Sequence, residues 1–93
     1  MVSVLIAGRI APHGRVHRSI GQFSVNRHAA GRYGFSAPGM DLAFGQVIPV
    51  ITSGDGVLAH YVGLGHRGEI HTVRADDGSY VDADFEFVFY QVA

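Results

Sequence analysis

The stretch YVDADFEFVFYQV, residues 80–92, decides the fold of this chain. Phe85, Phe87 and Phe89 occupy every second position, so an extended strand points all three rings to one face. The opposite face is acidic at first and apolar afterwards, and carries in order Asp82, Asp84, Glu86, Val88, Tyr90 and Val92. A strand with one solvated face keeps alternating to its end, whereas a strand covered on both faces reads as a continuous apolar run. The apolar end of this second face therefore indicates a cover, either another part of the chain or another copy of it.

The composition points to one small domain that gains from association. The 93 residues make a single β-sandwich domain, residues 1–93. A domain of this size hides only about 60–65% of the surface that its unfolded chain exposes. Only 16% of the residues are charged, against about 25% in a typical protein. The short apolar run near the N-terminus lacks a basic segment before it and cannot span a bilayer, so we expect no membrane insertion.

Short apolar stretches of period two alternate with glycine-bearing turns along the chain, and no segment keeps a helical period for ten residues. Seven or eight short strands at this spacing predict an all-β fold, an antiparallel two-sheet sandwich of jelly-roll type. The first strand runs from about Val2 to Ile10. Pro49 cannot donate to a ladder and marks an edge, a bulge or a break. The turn at residues 53–56, with its Asp-Gly pair, predicts a hairpin to a return strand at residues 57–64.

The six histidines are the first candidates for chemistry, and three of them, His60, His66 and His71, lie on and around one predicted hairpin. Histidine is a common zinc ligand, but the chain has no His-x-His, no His-Glu-x-x-His and no cysteine. We interpret the histidines as turn and surface residues and expect no metal and no cofactor. Two alternatives stay open, a metal site within one chain and one formed by the same histidine of several copies.

Enzyme activity is the weaker hypothesis. The serines lack a nucleophile-elbow motif, and the GxGxxG spacing at residues 63–68 has no helix after it. The carboxylates at positions 82, 84 and 86 are typical of a solvated strand face. We therefore do not expect an enzyme. The alternative is a small β-barrel enzyme or ligand carrier that uses His60 and His71 over a pocket.

Charge is divided unevenly along the chain. Residues 1–37 carry five arginines and no acid, whereas residues 38–93 carry two arginines and all eight acids. We interpret this as pairing of the two halves, across one sheet or between neighbouring copies. A further alternative is an anion-binding module that uses Arg15, Arg18, Arg27 and Arg32. Because only Arg32, which precedes Tyr33, has a flanking aromatic residue, we do not expect nucleic acid as a partner.

The order of several segments resembles a known group of domains. These segments are GRIAPHGRV (8–16), FSVNRHAAGRYGFSAP (23–38), VIPVITSGDG (47–56) and DDGSYVDADFEFVFYQVA (76–93). Together they resemble the trimeric C-terminal β-knob domains of phage tail fibres and of collagen-like bacterial surface proteins. In such domains the opening strand pairs near the end of the chain. A Gly-x-Tyr segment, here residues 31–33, starts an inner strand, and an aspartate before Phe-x-Phe, here residues 84–87, packs at the core.

The resemblance implies a structural protein of a virion or a cell surface that forms a homotrimer. It also implies receptor binding, with a cell-surface glycan or protein as the ligand. The covered second face of the last strand would then be the oligomer interface, formed by Val88, Tyr90 and Val92.

Overall fold

A computed structural model describes residues 2–42 and 47–92. Its eight strands are β1 (Val2–Ile10), β2 (Val16–Ile20), β3 (Ser24–Ala29), β4 (Arg32–Ser36), β5 (Val47–Ser53), β6 (Val57–Leu64), β7 (Arg67–Arg74) and β8 (Phe85–Val92). They form two four-stranded antiparallel sheets, sheet I in the order β2-β1-β8-β5 and sheet II in the order β3-β4-β7-β6. The predicted all-β sandwich is confirmed. The described ranges hold no helix long and apolar enough to cross a membrane.

The strand pairing is nested from the two ends of the chain inward. Strand β1 pairs with β8, from Val2 opposite Val92 to Ile10 opposite Phe85. Strand β4 pairs with β7, and the chain reverses between β5 and β6. Two of these pairs are nested as in a jelly roll, whereas β5 and β6, the innermost strands of the nest, lie in different sheets of the sandwich. Strands β2 and β3 widen the two sheets at the outer edges of β1 and β4.

The Asp-Gly turn forms where the sequence predicts it, but it does not make the predicted hairpin. Gly56 has a φ of 74°, and the Val57 amide donates to the Gly54 carbonyl at 3.2 Å. Strand β5 then pairs with β8 in sheet I, whereas β6 pairs with β7 in sheet II. The turn thus passes the chain from one sheet to the other. Pro49 lies on β5, at the edge of sheet I, which is one of the three positions that its missing N–H predicts.

Aromatic rings from β8 and β4 form the centre of the core. The Phe85 ring lies 4.9 Å from the Tyr33 ring, and the Phe87 ring lies 4.9 Å from the Phe35 ring, both edge to face. The buried core residues around them are Ile6, Ile10, Ala37, Leu42, Val47, Ile70 and Phe89. Burial of each phenylalanine ring contributes about 1.5–3 kcal/mol, so the period-two pattern of β8 directs much of the fold's stability inward.

Strand β8 begins at Phe85, although the alternation starts at Tyr80. The preceding segment is attached to sheet II instead. The Val81 amide donates to the Thr72 carbonyl at 3.1 Å, and the Thr72 hydroxyl donates to the Val81 carbonyl at 2.6 Å. Asp82 accepts a hydrogen bond from the Gly31 amide at 2.9 Å. The chain therefore leaves sheet II after Asp82 and enters sheet I at Phe85.

Candidate functional site

The outer face of sheet I carries two adjacent rows of apolar side chains. Residues directly opposite one another in neighbouring strands share a face. The first row crosses all four strands and consists of Ile20, Ala7, Val88 and Val50. The second crosses three strands and consists of Val4, Tyr90 and Ile48. We call these seven residues the apolar face. It spans four strands, about 14 Å across.

Most of the apolar face is open to solvent. Ile20 is 64% exposed, Val50 48%, Val4 47% and Ile48 45%. Of the other three residues, Ala7 is buried and Val88 and Tyr90 are half-buried. The sequence leaves two covers open, another part of the chain or another copy of it. The described part of the chain leaves Ile20, Val50, Val4 and Ile48 exposed and so does not supply the first.

Two of the three predicted interface residues lie in the apolar face. Val88 and Tyr90 occupy its centre, half-buried between the neighbouring strands. Val92 lies in β8 opposite Val2, but its side chain is outside the described residues. The sequence did not indicate Ile20 or Val50, because nothing local shows which strands flank β8.

A row of charged residues borders the apolar face at one end. Arg9 pairs with Glu86 at 2.6 Å and with Asp84 at 3.2 Å, and Arg18 lies opposite Arg9 on β2. These side chains are about half exposed, so each pair contributes at most about 1 kcal/mol. The border carries both signs of charge.

The outer face of sheet II carries a chain of polar contacts across three strands. Arg32 Nη2 lies 3.2 Å from Glu69 Oε1, which is 3.0 Å from His71 Nε2. His71 Nδ1 lies 3.1 Å from His60 Nε2. The Tyr80 ring packs edge to face on His71 at 5.6 Å. The hydrogen bond from His71, assisted by Arg32, lowers the pKa of the Glu69 carboxyl.

These contacts fix where the protons lie when both imidazoles are neutral. An ionised carboxylate only accepts, so His71 Nε2 carries a hydrogen and donates it to Glu69. The Nδ1 atom of His71 then holds a lone pair, and His60 Nε2–H donates to it. The carboxylate of Glu69 thus determines the donor and acceptor roles of both histidines.

A groove of about 480 Å³ lies beside this chain of contacts. The polar residues that line it are Ser24, Asn26, His28, Ser36, Arg67 and Glu69. Gly34 provides its floor, where an added Cβ atom would collide with the His28 ring. The sequence analysis missed this groove. The available signal was a glycine between the two buried aromatic residues of β4, opposite alternating polar residues on β3.

The structure brings together two of the three hairpin histidines. His60 and His71 are cross-strand neighbours, whereas His66 lies in the turn at the end of the β6–β7 hairpin. The pair lies on the sheet surface beside the groove, and neither of the two residues lines it. Within the described ranges, no group of three or more metal-ligating side chains is arranged around one point.

The four arginines of the anion-binding alternative are divided between the sheets. Arg27 pairs with Asp82 at 2.8 Å and Arg32 with Glu69 at 3.2 Å, both in sheet II. Arg18 lies on β2 in sheet I, and Arg15 immediately precedes that strand. The basic half of the chain thus meets the acidic half within one molecule, as one of the two interpretations of the charge distribution predicts.

Comparison of the chain with protein families, with curated proteins and with solved structures found no match.

Proposed function

We propose that this domain is a structural assembly and binding module, a homotrimeric knob that associates through the apolar face of sheet I. The observation that carries the proposal is the pair of apolar rows, formed by cross-strand neighbours, on the outer face of sheet I. Val88 and Tyr90 lie at their centre, and Ile20 and Val50 are exposed at their ends. Contiguous exposed apolar patches of this kind are typical of protein–protein interfaces.

A second copy of the chain is the occupant that the border favours. The charged row beside the apolar face offers Arg9 and Arg18 together with Asp84 and Glu86. Because the border carries both signs of charge, the basic side chains of one copy meet acidic side chains of the next copy at the rim of the buried apolar rows. The number of copies, three, follows from the resemblance to trimeric knobs.

The groove over Gly34 is the candidate position for a cell-surface ligand such as a glycan. It lies on sheet II and stays accessible when the outer face of sheet I is buried. Asn26, His28 and Arg67 are planar polar groups of the kind that hydrogen-bond sugar hydroxyls.

Light scattering on a sizing column tests the assembly. We expect the parent at three times the chain mass of 10.0 kDa. Val50→Asp places a charge in the apolar face, on an exposed position of an edge strand, and should give a monomer. Leu58→Asp is the matched control, since Leu58 is 58% exposed on the outer face of sheet II.

The masses of the parent and of the two variants decide both the number of copies and the position of the interface. A trimeric parent with a monomeric Val50→Asp variant and a trimeric Leu58→Asp variant supports the proposal. A monomeric or dimeric parent overturns the trimer. A trimeric parent that Val50→Asp leaves intact overturns the assignment of the interface to this face.

A further inference from the structure

We propose that His60 and His71 form a two-histidine chelating site for a late first-row divalent metal ion, with Zn²⁺ as the probe. The observation is the 3.1 Å separation of His60 Nε2 and His71 Nδ1 on the outer face of sheet II. This inference does not depend on assembly through sheet I.

The nitrogen separation matches what one metal ion requires. Zinc–nitrogen bonds are about 2.0–2.1 Å long, so two ligands at a tetrahedral angle stand about 3.4 Å apart. A square-planar ion with bonds of similar length places neighbouring ligands about 2.9 Å apart. The observed 3.1 Å lies between these two values.

The surroundings of His71 are those of a metal ligand. Ligating histidines almost always donate their other ring N–H to a carboxylate or a carbonyl, which fixes the tautomer. His71 Nε2 has this bond, to Glu69 Oε1 at 3.0 Å, and Glu69 is itself bound by Arg32 at 3.2 Å. His71 Nδ1 is thereby left with a lone pair directed at His60. The Tyr80 ring packs against the imidazole and limits its rotation.

Binding of the metal ion does not require the two neutral imidazoles to lose a proton. Before binding, His60 Nε2–H donates to His71 Nδ1. When the ion binds, the proton of His60 moves from Nε2 to Nδ1 of the same ring, and the lone pairs of His60 Nε2 and His71 Nδ1 form two coordinate bonds. The ion takes the place of the proton that the two rings share.

The site is open to solvent on one side. His60 is exposed on β6, the edge strand of sheet II, whereas the His71 side chain is 16% exposed. Since the described part of the chain brings no third ligand to the pair, water completes the coordination. Two protein ligands with water predict reversible binding, one ion per chain.

Isothermal titration calorimetry with zinc chloride tests the site on the full chain. We expect one ion per chain for the parent, and affinity at least about tenfold lower for either His60→Ala or His71→Ala. Glu69→Gln keeps an acceptor for His71 but removes the charge, and should weaken binding about tenfold, the lower end of the usual effect of such partners. His13→Ala, which removes an exposed histidine of the β1–β2 turn, is the control and should bind as the parent does.

A second measurement keeps the test valid if His71→Ala disturbs the fold. In the intact parent, zinc should perturb the ¹⁵N resonances of His60 Nε2 and His71 Nδ1 before those of the other imidazoles. Parent chain that binds no zinc overturns the proposal, as does binding that His60→Ala and His71→Ala leave unchanged. Repeating the titration with Val50→Asp should give the same affinity, so a failure of the assembly proposal is distinguishable from a failure of this one.

Discussion

The guanidinium of Arg27 donates to both carboxylate oxygens of Asp82, at 3.0 and 2.8 Å, although 55 residues separate the two in sequence. The same carboxylate accepts the Gly31 amide at 2.9 Å. Asp82 therefore ties strand β3 and the β3–β4 turn to the segment that precedes β8. This contact holds the chain on sheet II until it enters β8 at Phe85.

The Asp82 contact predicts a loss of stability in acid. The hydrogen bond from Arg27, followed by that from Gly31, lowers the pKa of Asp82 from the ordinary value of 3.8. A lowered folded-state pKa stabilises the fold above pH 3.8, and this contribution is lost as the pH falls through the folded-state value. Because both partners are about one-third exposed, the loss should be below about 1 kcal/mol. Urea unfolding from pH 7 to pH 2.5 measures it.

A double-mutant cycle isolates the contribution of the Asp82–Arg27 contact to stability. Asp82→Asn should flatten the acid limb of the stability curve, and Asp82→Asn in an Arg27→Gln background should change it little further. Glu69 and Asp77 also have lowered pKa values and supply the slope that remains. Equal effects of Asp82→Asn in the two backgrounds would contradict the assignment to Arg27.

Gly31→Ala should be among the most damaging small substitutions in the chain. Gly31 has a φ of 68°, and a Cβ atom there would collide with the Thr72 carbonyl and lie 2.8 Å from the Val81 nitrogen. We expect a loss of at least about 3 kcal/mol in the free energy of unfolding, from backbone strain and the clash together.

Gly39→Ala separates these two causes. Gly39 has a φ of 83°, but nothing lies within 4 Å of its added Cβ. Its loss should reflect backbone strain alone, about 1–2 kcal/mol. Chemical denaturation of both variants gives the difference, and equal losses would show that the junction around Gly31 has more room than its contacts indicate.

Phe87→Ala should cost about 3–5 kcal/mol of stability. The Phe87 ring lies 4.9 Å from Phe35, 5.0 Å from Phe89 and 5.2 Å from Phe23, so truncation opens a cavity at the centre of the core. Glu86→Ala, one position earlier on the opposite face, should cost less than about 1 kcal/mol. Thermal or denaturant unfolding of the two variants compares the two faces of β8, and similar losses would contradict this division.

Tyr61 should resist ionisation in the folded protein. Burial, with a smaller effect of Asp41, raises its pKa to about 12, and its hydroxyl donates to the Leu42 carbonyl at 2.8 Å. Because the ordinary value is 10.0, the unfolded chain ionises first, and stability present below pH 10.0 is lost as the pH rises through about 12. Absorbance at 295 nm follows the titration.

Tyr61→Phe should remove part of the late-ionising absorbance. Burial also raises the pKa of Tyr33, so that residue keeps a late component in the variant. Loss of the hydrogen bond to Leu42 should lower stability by about 1 kcal/mol. Full ionisation of the folded parent by pH 11 would contradict the burial of Tyr61.

Local patterns predicted the strands well and the connections less well. The first strand has the predicted bounds, Val2–Ile10, and Pro49 lies on an edge strand. The Asp-Gly turn was predicted as a hairpin because such turns most often join paired strands. Here β8 draws β5 into sheet I while β7 draws β6 into sheet II. A turn sequence specifies a reversal of the chain but does not specify the partner of the strand that follows.

For each candidate site, the sequence predicted some of the residues but not the contacts between them. The sequence indicated that Val88 and Tyr90 face a cover, and that His60 and His71 flank one hairpin. It did not indicate the cross-strand neighbours that turn Val88 into part of a row, or the bond that His71 makes with Glu69.

The sequence by itself determined which side chains of each strand share a face, because the alternation of an extended chain is a local covalent property. It therefore determined that three phenylalanine rings of β8 enter one core and that the opposite face ends apolar. Only the tertiary structure decided that β8 lies between β1 and β5, and that His60 faces His71 across the β6–β7 ladder. Strand partners are chosen by burial between distant segments, and closing a longer loop costs little more than closing a short one. No local pattern could therefore identify which strand pairs with which.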